Sequence, residues 1–209
     1  MNAPRFPPVP EQMPRLPPAP LVGPVCRWIF ARCGWRMAGE FPDVAKLVAI
    51  AAPHSSNWDV VWGLLVKFGL RLDVRFIGKR EAFFWPLGPL LRRFGGIPID
   101  RSGAHGVVGE MRTQFEQRKG FWLAIAPEGT RKPVKKWKSG FWHIAHDAGV
   151  PILPIYFHYP ERTIGFGPLF HTSDDMAADL ARIREFYVPW QGKNRGTLPP
   201  PEAQAGSPS

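Results

Sequence analysis

Lys46-Leu47-Val48-Ala49-Ile50-Ala51-Ala52-Pro53, running straight into His54-Ser55-Ser56-Asn57-Trp58-Asp59, decides how this chain is read. The apolar run has the length and composition of a short buried strand, and Pro53 ends it. Beyond it apolar side chains recur at Trp58, Val61, Trp62, Leu65 and Val66, which is helical spacing. His54 therefore stands where a strand gives way to a helix. Asp59 falls in the first turn of that helix and can fold back toward the imidazole. A histidine held by a carboxylate is the basic unit of a general base that removes a proton from a hydroxyl. The same residues also mark a helix start, because Ser56-x-x-Asp59 has the form of a capping box and the acid suits the helix dipole. The two roles are compatible: a helix start can aim the carboxylate.

Outward from this stretch, two kinds of segment alternate. Strands are predicted at Leu47–Ala52, Val74–Ile77, Ile97–Ile99, Phe121–Ala126 and Ile152–Phe157, and helices at Asn57–Leu70, Phe83–Phe94, Gly106–Arg118, Gly140–Ala148 and Asp174–Tyr187. The alternation predicts an α/β fold: one domain with a mostly parallel central sheet flanked by helices. In such sheets ligands gather at the carboxyl ends of the strands. A further helix is predicted over Val25–Met37, with Cys26, Ile29, Phe30, Cys33 and Met37 on one face; it either packs on the domain or anchors it to a membrane. Residues 1–20 are rich in proline (Pro4, Pro7, Pro8, Pro10, Pro14, Pro17, Pro18, Pro20), as is the tail. Both 1–20 and 191–209 are predicted to be disordered or polyproline-like, which leaves 21–190 as the domain.

A length of 209 residues suits one domain with a full core, and the net charge of +10 calls for an anionic partner. The one basic block, Arg131-Lys132 to Lys138, does not form a nucleic-acid tail, so no nucleic-acid partner is expected. Two cysteines, Cys26 and Cys33, build neither a disulfide framework nor a metal site and point to a reduced, cytoplasmic setting. No apolar run reaches the roughly 18 residues of a spanning helix, and no secretory leader is evident. Nine tryptophans, several beside Arg or Lys, suit a protein resting at a lipid–water interface.

Two more motifs follow strand ends. Ala126-Pro127-Glu128-Gly129-Thr130-Arg131 surrounds one turn with amides, a carboxylate and an arginine. The guanidinium of Arg131 has the planar fork that matches phosphate oxygens, and Glu128 can orient it. Gly95-Gly96-Ile97-Pro98-Ile99-Asp100-Arg101 offers a second phosphate-seeking arginine, Arg101. Val150-Pro151-Ile152-Leu153-Pro154-Ile155 reads as a buried strand with a structural role. His143-x-x-His146 has helical spacing but no neighbouring carboxylate ligand, so no metal is expected.

These blocks in this order (His-x4-Asp, Gly-Lys-Arg-Glu, Gly-Gly-Ile-Pro-Ile-Asp-Arg, Pro-Glu-Gly-Thr-Arg, Val-Pro-Ile-Leu-Pro) resemble the lysophospholipid acyltransferase family, which includes 1-acyl-glycerol-3-phosphate acyltransferases. The likeness covers about residues 45 to 157. It implies an enzyme of lipid biosynthesis with no cofactor, using acyl-CoA or acyl-carrier protein as donor. It implies that His54 deprotonates the acceptor hydroxyl, that Asp59 steadies the imidazole, and that no acyl-enzyme forms. Arg101 and the turn Glu128, Gly129, Thr130 and Arg131 correspond to positions that bind the acceptor's head. The implied acceptor is a lyso-lipid such as 1-acyl-glycerol-3-phosphate, with a non-glycerol acceptor such as lyso-ornithine lipid as the alternative. Where relatives place Ser after Glu-Gly-Thr-Arg, this chain has Lys132-Pro133, followed by more lysines that suit an anionic acceptor, a carrier protein or an acidic bilayer. The setting implied is cytoplasmic, peripheral to the inner face of the membrane. Two other classes compete: a non-catalytic basic module for membrane or nucleic acid, and a hydrolase using the His–Asp pair on water. The second lacks a Gly-x-Ser-x-Gly elbow.

Overall fold

β2 (Lys46–Ala52) is the centre of the protein, with Leu47, Val48, Ala49, Ile50 and Ala52 wholly shielded from solvent. A computed structural model describes residues 6–99, 106–132, 134, 136–194 and 196. β2 pairs in parallel with β5 (Phe121–Ile125) on one side and β6 (Ile152–His158) on the other. β3 (Val74–Lys79) and β4 (Gly96–Ile99) extend the sheet beyond β5, again in parallel. β7 (Thr163–Phe166) pairs antiparallel with β6, and β1 (Arg36–Ala38) runs parallel to β7. The order is β1-β7-β6-β2-β5-β3-β4. All five predicted strands are present and form its parallel block.

Alternation along β2 divides the core in two. Val48, Ile50 and Ala52 join the layer under α4 (Gly106–Gln117), α5 (Gly140–Ala148) and α6 (Met176–Tyr187), with Met111, Phe115, Phe141 and Ile183. Leu47 and Ala49 join the opposite layer under α1 (Val22–Arg32) and α2 (Trp58–Gly69), with Phe30, Trp35, Val66 and Trp122. Each large side chain so buried contributes about 1.5–3 kcal/mol. On the α6 side, Asp179 accepts from the Ser173 amide (2.6 Å), the Trp142 indole (2.9 Å) and Arg182. Burial by itself would raise this carboxyl, but those donors outweigh it and hold its pKa at about 2.

Four expectations differ from what is found. Residues 6–20 do not stand away from the domain. Met13 is buried, the Leu16 amide donates to the Arg71 carbonyl at 2.7 Å, and the Asp73 amide donates to the Pro14 carbonyl at 2.8 Å. Proline removes donors that would otherwise need partners, so an arm carrying Phe6, Val9 and Met13 docks with few backbone bonds. Residues 191–194 and 196 also lie on the domain. The helix predicted over Val25–Met37 stops at Arg32; Gly34, with φ of 78°, turns the chain so that Met37 enters β1. The helix predicted over Phe83–Phe94 forms only as α3 (Leu87–Arg93), which starts after Pro86, while Phe83 closes a separate 3-10 turn, Arg80–Phe83.

Candidate active site

Three neighbouring parallel strands release the chain at one edge of the sheet. β2 leads to His54, β5 to Glu128, and β6 to Tyr159. Because β2 and β5 pair with Ile50 opposite Ile125, His54 and Glu128 emerge side by side. The His54 amide donates to Glu128 Oε1 at 3.2 Å, and Glu128 is 1% exposed. A buried carboxyl from one motif thus fixes the backbone of the other.

The His–Asp pair is built by the loop that starts α2. Asp59 Oδ2 accepts from the Ser55 and Ser56 amides, each at 2.9 Å, and lies 3.3 Å from His54 Nδ1. The bond to the Ser56 amide is the carboxylate half of the expected capping box. The Ser56 hydroxyl accepts from the Trp58 amide at 3.2 Å. Asp59 Oδ1 accepts from the Tyr159 hydroxyl at 2.6 Å. The carboxylate side chain is 1% exposed and the imidazole 17%. Burial, and then the bond to Asp59, push the Tyr159 hydroxyl above its ordinary range, so it remains a donor. With Nδ1 turned to the carboxylate, Nε2 is the nitrogen left for a substrate.

His54 lines a groove of about 590 Å³. Its apolar walls include Ile77, Ile99, Val107, Val108, Phe141 and Ile144, from the sheet, α4 and α5. Gly129, Thr130, Arg131 and Lys138 line it as well. Gly129 adopts a φ of 65°, and a Cβ there would come within 3.0 Å of the Lys138 side chain. Glycine is what lets the turn close. Thr130 Oγ1 accepts from the Lys132 amide at 3.2 Å, which shapes the turn and leaves Arg131 exposed.

The structure brings together His54, Asp59, Glu128, Gly129, Thr130 and Arg131. Arg101 lies outside the described residues; β4, which precedes it, ends on the same edge. Lys138, the last lysine of the basic block, lines the groove as an anionic acceptor would require, whereas Tyr159 is not among the predicted site residues. The rule that placed His54 and Glu128, a polar residue just past a parallel strand, would also have found Tyr159. His143 and His146 are exposed on α5, His146 stacked on Trp142, and no group of three or more His, Cys, Asp or Glu suited to a metal occurs among the described residues.

A family model described as Acyltransferase matches residues 40–158, a span that holds His54, Asp59, the Glu128–Arg131 turn and Lys138. The chain belongs to the acyltransferase family. This acyltransferase is 26% identical over 182 residues to the 1-acyl-sn-glycerol-3-phosphate acyltransferase of Pseudomonas aeruginosa, covering 78% of the chain and 69% of that protein. To the enzyme of the same name from Escherichia coli it is 32% identical over 112 residues, 50% of the chain and 44% of that protein. For the Haemophilus influenzae enzyme the values are 28% over 148 residues, with 64% and 60% covered. The crystal structure of the 1-acyl-sn-glycerophosphate acyltransferase from Thermotoga maritima superposes with a TM-score of 0.55 at 18% identity, over 82% of this acyltransferase and 80% of that chain. That likeness establishes the fold.

Proposed function

We propose that this acyltransferase moves a fatty acyl group from an acyl thioester, acyl-CoA or acyl-carrier protein, to the hydroxyl of a lyso-lipid, with 1-acyl-glycerol-3-phosphate as the principal acceptor. The observation that carries this reading is the His54–Asp59 pair, whose imidazole lines a groove with apolar walls that Arg131 and Lys138 also line. His54 Nε2 takes the acceptor's hydroxyl proton, and the oxygen attacks the thioester carbonyl carbon. The C–S bond breaks as the tetrahedral intermediate collapses, and the proton held by His54 passes to the leaving thiolate. Asp59 steadies the imidazolium in between. The apolar walls take an acyl chain, and the two cations face a phosphate headgroup.

Thiol release from a long-chain acyl-CoA, and separately from acyl-carrier protein, tests the reading. It is expected only when an acceptor is added, and faster with 1-acyl-glycerol-3-phosphate than with lyso-ornithine lipid. Arg131→Ala is expected to raise KM for the phosphate acceptor about tenfold, since a charge-assisted hydrogen bond contributes roughly 1.5–3 kcal/mol and 1.4 kcal/mol is a factor of ten. Thiol release without acceptor would make the protein a hydrolase and sink the proposal.

The setting proposed is the inner, anionic face of the cytoplasmic membrane, held peripherally. No helix among the described residues is long and apolar enough to cross a membrane. α1 and the residue before it leave Leu21, Val25 and Trp28 exposed at helical spacing, and Phe84 and Trp85 project past the end of β3, on the edge that carries His54, Trp85 at 83% exposure. Arg131, Lys132 and Lys138 lie exposed on this same edge. Aromatics beside cations suit an anionic interface. Flotation with anionic vesicles should carry the protein at low salt and release most of it near 1 M, where the Debye length falls to about 3 Å. Trp85→Ala should weaken binding several-fold, and no binding at low salt would refute this setting.

A further inference from the structure

The chain that follows α6 comes back over the catalytic loop. Trp190 stacks on Tyr156 with ring centroids 3.6 Å apart and planes 2° from parallel. The Gln191 amide donates to His158 Nδ1 at 3.1 Å, and its carbonyl accepts from the Tyr159 amide at 2.9 Å. Gln191 also bridges to Gly196. Asn194 then closes on a single residue of the loop: its amide donates to Ser55 Oγ at 3.2 Å, and its side-chain Nδ2 donates to the Ser55 carbonyl at 2.7 Å. Lys193 lies over the Trp58 ring, 5.2 Å from its centre. The contacts that Trp190, Gln191, Lys193 and Asn194 make with Tyr156, His158, Tyr159, Ser55 and Trp58 thus fall on β6 and its exit and on the loop 54–59.

That loop is where the geometry of general-base catalysis is set. Asp59 Oδ2 is held by the Ser55 and Ser56 amides and faces His54 Nδ1, while Oδ1 accepts from the Tyr159 hydroxyl. Tyr159 is in turn held by the Gln191 carbonyl and packs edge-on against Trp35, with centroids 5.0 Å apart. Without the Tyr159 hydroxyl the carboxylate is held through Oδ2 alone and can rotate about that atom, so the orientation of the oxygen that faces His54 Nδ1 at 3.3 Å is no longer fixed. Without Asn194 the Ser55 peptide, whose amide is one of the two on Oδ2, can tilt. Asn194 is exposed, so its two bonds do little for the core. Their consequence falls on the loop.

We propose that Trp190–Asn194 is a clamp, and that Tyr159 and Asn194 are positioning residues that act through it to hold Asp59 against His54. The proposal rests on the reading of His54 as the base in acyl transfer. It extends the machinery beyond the segment that carries the motifs, into a stretch whose composition suggested a disordered tail. A carboxylate pinned on both oxygens presents one fixed charge to the imidazole, and small misplacements of such a group are costly in rate.

Tyr159→Phe and Asn194→Ala, each made in the full chain, test the clamp through two independent measurements. Steady-state transfer from acyl-CoA to 1-acyl-glycerol-3-phosphate should show kcat lowered about tenfold by Tyr159→Phe and about threefold by Asn194→Ala, with KM for the donor within about twofold of the parent. Asn194→Gln, which keeps the donor amide, should recover part of the loss. Hydrogen exchange on the resting protein should show the Ser55 and Ser56 amides exchanging about tenfold faster in both variants, while amides of β2 and β5 keep their protection. A kcat within twofold of the parent in both variants overturns the clamp. So does a loss of kcat with the exchange of Ser55 and Ser56 unchanged, because the residues would then act elsewhere. If the parent transfers no acyl group at all, the proposed function fails, and the exchange measurement still decides whether the clamp holds the loop.

Discussion

His54→Ala will lower kcat for acyl transfer by about 10²–10⁴, the range that a positioned general base supplies. The fold should survive. The imidazole is a rim side chain, 17% exposed, and the substitution keeps the backbone amide that donates to Glu128. The melting temperature is expected to fall by only a few degrees, since no large apolar surface is lost and the buried Asp59 carboxylate, deprived of His54, keeps its Ser55, Ser56 and Tyr159 donors. Asp59→Ala should show a loss of the same order, with some destabilisation added. It strands the Ser55 and Ser56 amides and the Tyr159 hydroxyl, all of which end on that carboxylate. Thiol release measured with and without acceptor reads both variants. Turnover by His54→Ala above a tenth of the parent's would mean that another group takes the proton.

Glu128→Ala should damage both stability and rate. Glu128 is 1% exposed and accepts from the His54 amide, so deletion leaves a part-buried N–H without that acceptor at a cost of about 1–3 kcal/mol. The bond also ties the end of β2 to the turn after β5, and its loss frees His54 to shift against the groove. A displacement of about 1 Å at a catalytic group costs on the order of 10²-fold. Glu128→Gln retains an acceptor oxygen in the same place and should keep most of the stability. Urea unfolding and kcat, measured on the two variants together, separate the cases. Parent-like stability and rate in Glu128→Ala would show that the two motifs do not depend on one another.

Much of this was legible in the residues. The parallel strands are short, apolar and bounded by Pro, Gly and charged residues, which is why β2, β3, β4, β5 and β6 appear where periodicity puts them. The antiparallel edge was not. β1 is three residues long and β7 four, and Gly165 in β7 sits against the ring of Tyr156, where a Cβ would come within 2.1 Å. A three-residue strand has no period to detect, and a glycine in a strand reads as a turn. The proline arm was misjudged for a different reason: composition reports the lack of donors in residues 6–20 but not the buried surface waiting for Met13 and Phe6.

The site divides along the same line. The sequence by itself determined the His54–Asp59 pair and the Glu128–Arg131 turn, because each is local: a strand end, a helix start and a turn bring residues within five positions of one another into place. It also determined that the two would meet, since parallel strands deliver their ends to one edge. Only the tertiary structure decided what holds the pair. Tyr159 reaches Asp59 from 100 residues away, and Asn194 reaches Ser55 from 139. Those contacts depend on β6 lying beside β2 and on α6 returning the chain across the edge, and strand order and chain return leave no local pattern to read.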